Sequence, residues 1–200
     1  MNAMSTRQRL LTAARDEFAA HGIAGARVDA IAARAGVNKE RIYGHFGSKE
    51  KLFDAVITDA KAEHAAGIGV PSGDLAEYVG KLYDYHRDHP LLLRLLLWES
   101  LHYGDRPVLD HDGRAQAYDG KVAALAEALG DTPGGAATPH GADRHDTAAT
   151  LLTLLGLACW PHAMPQLAGF LVRDVDESQR HALLREHTVE FARRALQHRP

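Results

Sequence analysis

Residues 28–46 (Val28-Asp29-Ala30-Ile31-Ala32-Ala33-Arg34-Ala35-Gly36-Val37-Asn38-Lys39-Glu40-Arg41-Ile42-Tyr43-Gly44-His45-Phe46) decide the reading of this 200-residue chain. Ile31, Ala32 and Ala35 recur at helical spacing, which predicts a short helix from about Asp29 to Ala35. Gly36 follows it, where a left-handed residue costs least. Asn38 is a good N-cap for a second short helix running to about His45. Two short helices joined by Ala35-Gly36-Val37-Asn38 have the composition of a helix-turn-helix. Val37 would pack between the helices and Ile42 would anchor the second. Lys39, Glu40, Arg41, Tyr43, Gly44 and His45 would then face outward, a set rich in donors for phosphates and base edges in a major groove. The same spacing also fits an ordinary helical hairpin with a solvated, charged face.

The helical period extends outward from this stretch, and strand alternation is nearly absent. Ser5 and Gln8 match a capping box, after which Leu10, Leu11, Ala14 and Phe18 share one face until Gly22. Gly47 breaks the second short helix. Ser48 caps a longer one to about Ala66, with the stripe Leu52, Phe53, Val56, Ile57 and Ala60. Gly67 to Gly73 reads as a linker, and Asp74 with Glu77 caps a helix to about Asp88. Pro90 suits the first turn of the next, Pro90 to Tyr103. Further helices are expected from Asp112 to Leu129, from Asp143 to Cys159 and from Glu177 to Gln197. A Gly-, Pro- and Thr-rich loop is expected at 130–142. The Asp143–Cys159 helix is apolar on nearly every side and should be buried all round, with Pro161 and Pro165 kinking or ending it. The last helix carries a seam of Leu184, Thr188, Phe191 and Ala195. About nine helices and an all-α fold result.

An apolar fraction of 46% excludes a wholly disordered chain. The single cysteine, Cys159, excludes an internal disulfide framework and a multi-cysteine zinc site. No run approaches the roughly 18 to 20 apolar residues that span a bilayer. The polar start, Met1 to Arg7, has no signal-peptide apolar region, so a cytoplasmic protein without membrane partners is expected. The net charge of −3 lacks the basic excess usual in a nucleic-acid binder, but it is an average. Residues 1–53 carry nine Lys and Arg against five Asp and Glu, a balance of +4, and residues 54–200 carry −7. A basic N-terminal part on an acidic body suits a two-part protein that meets phosphate on one face only.

Residues 5–57 resemble the N-terminal DNA-binding domain of the TetR family of transcriptional repressors. The resemblance rests on Ile31-Ala32, Ala35-Gly36-Val37, Lys39, Ile42-Tyr43, His45-Phe46, Ser48-Lys49-Glu50 and Leu52. It implies a helix-turn-helix domain at 1–53 and a helical effector-binding and dimerisation domain at 54–200. The stretch Tyr78 to Glu99 is similar to one C-terminal subtype of the family. By the resemblance, the helix from Asn38 to His45 is the recognition helix, Tyr43 and His45 contact phosphates, and Lys49 adds a phosphate contact at a helix N-terminus. Lys39 and Arg41 are candidates for base or phosphate contacts, and Arg41 can reach guanine. Glu40 either accepts from a cytosine amino group, disfavours wrong sites or forms an internal ion pair. Two departures stand out. Val28 replaces a frequent capping Thr, a loss of about 1 kcal/mol unless Asp29 substitutes. Gly44 replaces a bulky residue and loses one contact.

The resemblance also implies a homodimer through the last two helices and a small-molecule effector. Tyr78, Tyr85, Trp98, Glu99, His102, Tyr103, Tyr118, Trp160, His162 and Met164 put polar tips on apolar bodies, as pocket linings do and as satisfied core residues also do. Tyr85, Trp98, Glu99, His102, Trp160 and Met164 are the preferred candidates, for a mostly apolar or aromatic effector. Glu99 and His102 have the Glu-x-x-His spacing of di-iron bundles, but no second unit occurs, so neither metal nor cofactor is expected. The leading expectation is a ligand-responsive repressor that binds a pseudo-palindromic operator as a homodimer and is not an enzyme. The alternatives are an all-helical metal-dependent enzyme with a carboxylate–histidine site and a helical protein-interaction adaptor.

Overall fold

The computed structural model describes residues 4–130 and 144–197. The described residues form ten helices and no strand. Contacts group them into two compact units. The first is Met1–Ala66 with Pro90–His111, and the second is Gly67–His89 with Asp112–Pro200. The chain therefore passes between units three times, at 66/67, 89/90 and 111/112.

The first unit holds α1 (Thr6–Gly25), α2 (Val28–Ala35), α3 (Lys39–Phe46), α4 (Lys49–Ile68) and α6 (Pro90–Tyr103). Local hydrogen bonds set the helix starts. The Ser5 hydroxyl accepts the Gln8 N–H at 3.2 Å, Asn38 Oδ1 accepts the Arg41 N–H at 3.3 Å, and Ser48 Oγ accepts the Lys51 N–H at 3.1 Å. The expected stripes of α1 and α4 are buried, and Phe18 meets Phe53 edge-to-face at 5.0 Å. Arg15 ties α1 to α4 through Asp59 and Glu63, each at 2.8 Å. Leu92 and Leu95 of α6 join this same core, so the compact units do not coincide with the boundary read at residue 53.

Gly22 interrupts α1 with φ 66° and ψ −178°, and one more turn follows to Gly25. The Trp98 ring of α6 lies on this glycine, and a Cβ built there would stand 2.7 Å from Trp98 Cε3. The indole N–H donates to the Ala19 carbonyl at 3.2 Å. Neither Val28 nor Asp29 caps α2. Arg27 is the N-cap, with no side-chain cap, and its N–H donates instead to Glu17 Oε1 of α1 at 3.0 Å. The suggested Asp29 cap is thus corrected. A buried glutamate from another helix supplies the acceptor, a partner with no local signature in sequence.

The second unit holds α5 (Leu75–Asp88), α7 (His111–Ala128), α8 (Arg144–Ala163), α9 (Pro165–Leu171) and α10 (Glu177–Gln197). Asp74 Oδ1 caps α5 through the N–H groups of Ala76 and Glu77. The core gathers Val79, Leu82 and Tyr83 of α5 with Leu125, Leu151, Leu154, Ala158, Val189 and Ala192. Gly80 lets α10 come close to α5, since a Cβ there would stand 2.9 Å from both Val189 Cγ2 and Arg185 Nη2. Arg185 pairs with Asp84 at 2.8 Å across the same seam. The Tyr83 hydroxyl lies 3.2 Å from His181 Nδ1, and the His162 ring lies 4.4 Å from the Tyr83 ring.

Several expectations for this unit are corrected. Helix α8 is not buried all round within the chain: Leu151, Leu154 and Ala158 form one inward stripe, while Leu152 is 72% and Trp160 58% exposed. Pro161 lies within α8, and Pro165 opens α9 after an 83° bend. Helix α9 was not anticipated, because seven residues between two prolines hold too little periodicity. On α10 the inward residues are Thr188, Val189 and Ala192, and Phe191 of the expected seam is 53% exposed. The expected loop at 131–142 lies outside the described residues. Among the described residues no single helix is long and apolar enough to cross a membrane; α8 with α9 passes by length and composition only as a bent pair.

Candidate nucleic-acid interface and effector residues

Helix α2, the turn and α3 form the helix-turn-helix. Gly36 takes the left-handed conformation at φ 66° and ψ 40°, and its N–H caps α2 at Ala32 and Ala33. Val37 is half-buried against the core and Ile42 is fully buried, so one side of α3 is anchored. Lys39, Glu40, Arg41, Tyr43, Gly44 and His45 are all exposed on the other side, and Asn38 is exposed at its start. A Cβ on Gly44 would meet nothing within 4 Å, so the missing side chain is not imposed by packing. Lys49 begins α4, half-buried, and its ammonium donates to the Ala24 carbonyl at 3.2 Å. The Arg7 guanidinium lies over the Phe46 ring at 5.7 Å and closes the head from its N-terminal side.

Lys39 is held by an aspartate. Its Nζ lies 3.0 Å from Asp29 Oδ1, and this hydrogen bond, reinforced by the charge, raises the lysine pKa. Sequence reasoning assigned Asp29 only a capping role. Its spacing of ten residues across a turn is not a helical one, so the contact had no periodic signature.

The candidate effector residues fall in both units. Trp98, Glu99 and His102 belong to the first: Trp98 is committed to Gly22 and Ala19, Glu99 is buried, and His102 packs edge-on against Tyr103 at 4.8 Å. Tyr85, Trp160 and Met164 belong to the second. Tyr85 lies on the His89 ring at 4.4 Å, whereas Trp160 and Met164 are exposed. The Tyr78 hydroxyl is buried, 4% of the residue being exposed, and has no hydrogen-bond partner among the described residues. Burial pushes the Cys159 thiol up to about 11, so it stays protonated at neutral pH. One open depression of about 320 Å³, between Gly73–Ala76 and Arg193–Gln197, is lined by none of the six preferred candidates. Among the described residues no three His, Cys, Asp or Glu side chains gather to hold a metal ion.

An anchored short helix presenting cations and a tyrosine, on a chain whose described residues form helices and no strand, defines a helix-turn-helix DNA-binding regulator. The chain belongs to the TetR family. Residues 10–56 match the model of bacterial regulatory proteins of the tetR family, and residues 74–194 match the tetracyclin repressor-like C-terminal domain. It is 38% identical over 168 residues, 84% of each chain, to the HTH-type transcriptional repressor SCO4008 of Streptomyces coelicolor. It is 36% identical over 106 residues, half of each chain, to the HTH-type transcriptional repressor NicS of Pseudomonas putida. The crystal structure of a transcriptional regulator of Streptomyces coelicolor, SCO4942, superposes with a TM-score of 0.72 at 32% identity. That match covers 94% of this chain and 98% of that one. The protein is a DNA-binding transcriptional regulator of this family.

Proposed function

We propose that the protein acts in the cytoplasm as a homodimer on a pseudo-palindromic operator, and that an apolar or aromatic effector releases it. The exposed face of α3 over a fully buried Ile42 carries this reading. Asn38, Lys39, Glu40, Arg41, Tyr43, Gly44, His45 and Lys49 form the DNA face. Two such heads about 34 to 36 Å apart meet successive major grooves. Selection of bound sequences from random duplexes at rising salt tests it. A recovered palindrome and a steep loss of affinity with salt are expected, and recovery of no shared sequence would count against the reading.

Leu152, Trp160 and Phe191 on α8 and α10 support the homodimer, as large apolar groups turned away from their own core. A Leu152→Glu variant is expected to run as a monomer in analytical ultracentrifugation and to bind the palindrome at least about a hundredfold more weakly. Its helicity should not change, because Leu152 is outside the core of the single chain. A dimeric Leu152→Glu protein would place the interface elsewhere.

For the effector, Tyr85, Trp98, Glu99, His102, Trp160 and Met164 remain the candidates. The unpartnered, buried Tyr78 hydroxyl supports a hydrogen-bonding group on an otherwise apolar molecule. Release requires that the effector bind the DNA-free conformation better, so operator must weaken effector binding by the same factor.

A further inference from the structure

Asp29 stands in the first turn of α2 and is the more open partner of its ion pair: its side chain is 77% exposed, against 44% for Lys39. The two residues occupy the starts of α2 and α3, and both carboxylate oxygens lie within 3.3 Å of the lysine ammonium. The pair is therefore built into the surface that must meet the sugar-phosphate backbone. Glu40, the next residue along α3, adds a second negative charge that favours the charged form of this ammonium. No comparable capping duty explains the aspartate, since Arg27 is the N-cap of α2 and its N–H goes to Glu17.

We propose that Asp29 is an internal stand-in for phosphate, which holds Lys39 off arbitrary DNA and so raises the discrimination of the reading head. This rests on α3 being the recognition helix. A phosphate approaching Lys39 must displace a carboxylate already in place, so one fewer counterion is released on binding, and the phosphate meets a like charge. A random duplex offers Lys39 only phosphate and pays this penalty in full. The palindrome offers it a base-edge acceptor, which the third donor of the ammonium reaches with the carboxylate still in place, and so pays less. The device is a repulsive element, which sharpens specificity by weakening wrong partners more visibly than the right one.

The test uses the full-length protein, the palindrome recovered by selection and a 30-base-pair duplex of random sequence, each titrated over a salt series. Asp29→Asn is expected to tighten the random duplex about five- to tenfold and to steepen its slope of log K against log salt by about 1.8, the value of one added phosphate contact for each of the two heads of the dimer. The palindrome should tighten less, so the ratio between the two falls. In a Lys39→Gln background the same substitution should leave the slope unchanged and tighten binding no more than about twofold. Asp29→Ser gives a second variant with the charge removed and a hydrogen-bonding side chain kept near the helix start, and should behave alike. Unchanged random-duplex affinity and slope in Asp29→Asn and Asp29→Ser would overturn the proposal, as would an equal gain with and without Lys39. A Lys39→Gln variant that binds the palindrome like the parent would overturn the reading of α3 itself, and the proposal with it.

Discussion

Replacing Lys39, Arg41 and Tyr43 together by alanine is expected to lower affinity for the operator by at least about a thousandfold, with no loss of helicity. The three side chains are exposed and lie opposite Ile42, so none supports the core. Each supplies a different contact. A lysine neutralises phosphate as a point charge, an arginine can grip guanine with two hydrogen bonds, and a tyrosine hydroxyl donates to phosphate oxygen. Losses of about tenfold for each contact multiply when the sites act independently. Anisotropy titration of a labelled palindrome reads the loss, and circular dichroism reads the fold. A variant with parental affinity would mean that another face meets DNA. If the chain served instead as an interaction adaptor, this substitution would leave its protein partners bound.

The largest expected effect on stability comes from Gly22→Ala. The glycine has φ 66° with ψ near 180°, a region closed to residues with a Cβ at a cost of about 1 to 3 kcal/mol. The new methyl group would also lie 2.7 and 2.8 Å from two carbons of the Trp98 indole. Moving the indole away breaks its hydrogen bond to the Ala19 carbonyl and opens α6 from α1, adding about 1 to 3 kcal/mol. A total of about 2 to 6 kcal/mol should lower the melting temperature by roughly 4 to 24 °C. Gly120→Ala is the contrasting substitution. It lies inside α7 with open space around it, so the same methyl should be neutral or stabilise by up to about 1 kcal/mol. A Gly22→Ala protein that melts with the parent would show that the Trp98 contact yields freely.

The contrast between these glycines also shows what was legible in the sequence. Most features decided within about four residues were readable: the Ser5, Asn38, Ser48 and Asp74 caps, the Gly36 turn, the Pro90 start, and the stripes of α1 and α4. The exposed face of α3 followed from the single apolar anchor at Ile42. Features requiring a distant partner were not readable. Helix α6 is apolar on several sides, so its pattern could not say that Leu92, Leu95 and Trp98 attach to α1. The apolar girth of α8 likewise could not distinguish an inward stripe from an outward one, and Phe191 was placed on the wrong side of α10 for the same reason. Trp98 is an effector candidate because an indole with a polar tip suits a ligand, and its partner in this structure, the Ala19 carbonyl, lies 79 residues away and has no local signature.

The three passages of the chain between its units bear on how this protein can be cut and recombined. A reading head excised after residue 66 would lack α6 and leave the surfaces that meet Leu92 and Leu95 open to water, inviting aggregation. A chimaera that gives this head to a relative's regulatory body must therefore transplant Pro90–Tyr103 as well, although Gly67–His89 of the other unit intervenes in sequence. Recombination at a single breakpoint between α4 and Pro90 would separate α6 from its seat on α1. Exchange of DNA specificity is safest by substitution on α3, whose outward residues can change without disturbing the helices beneath.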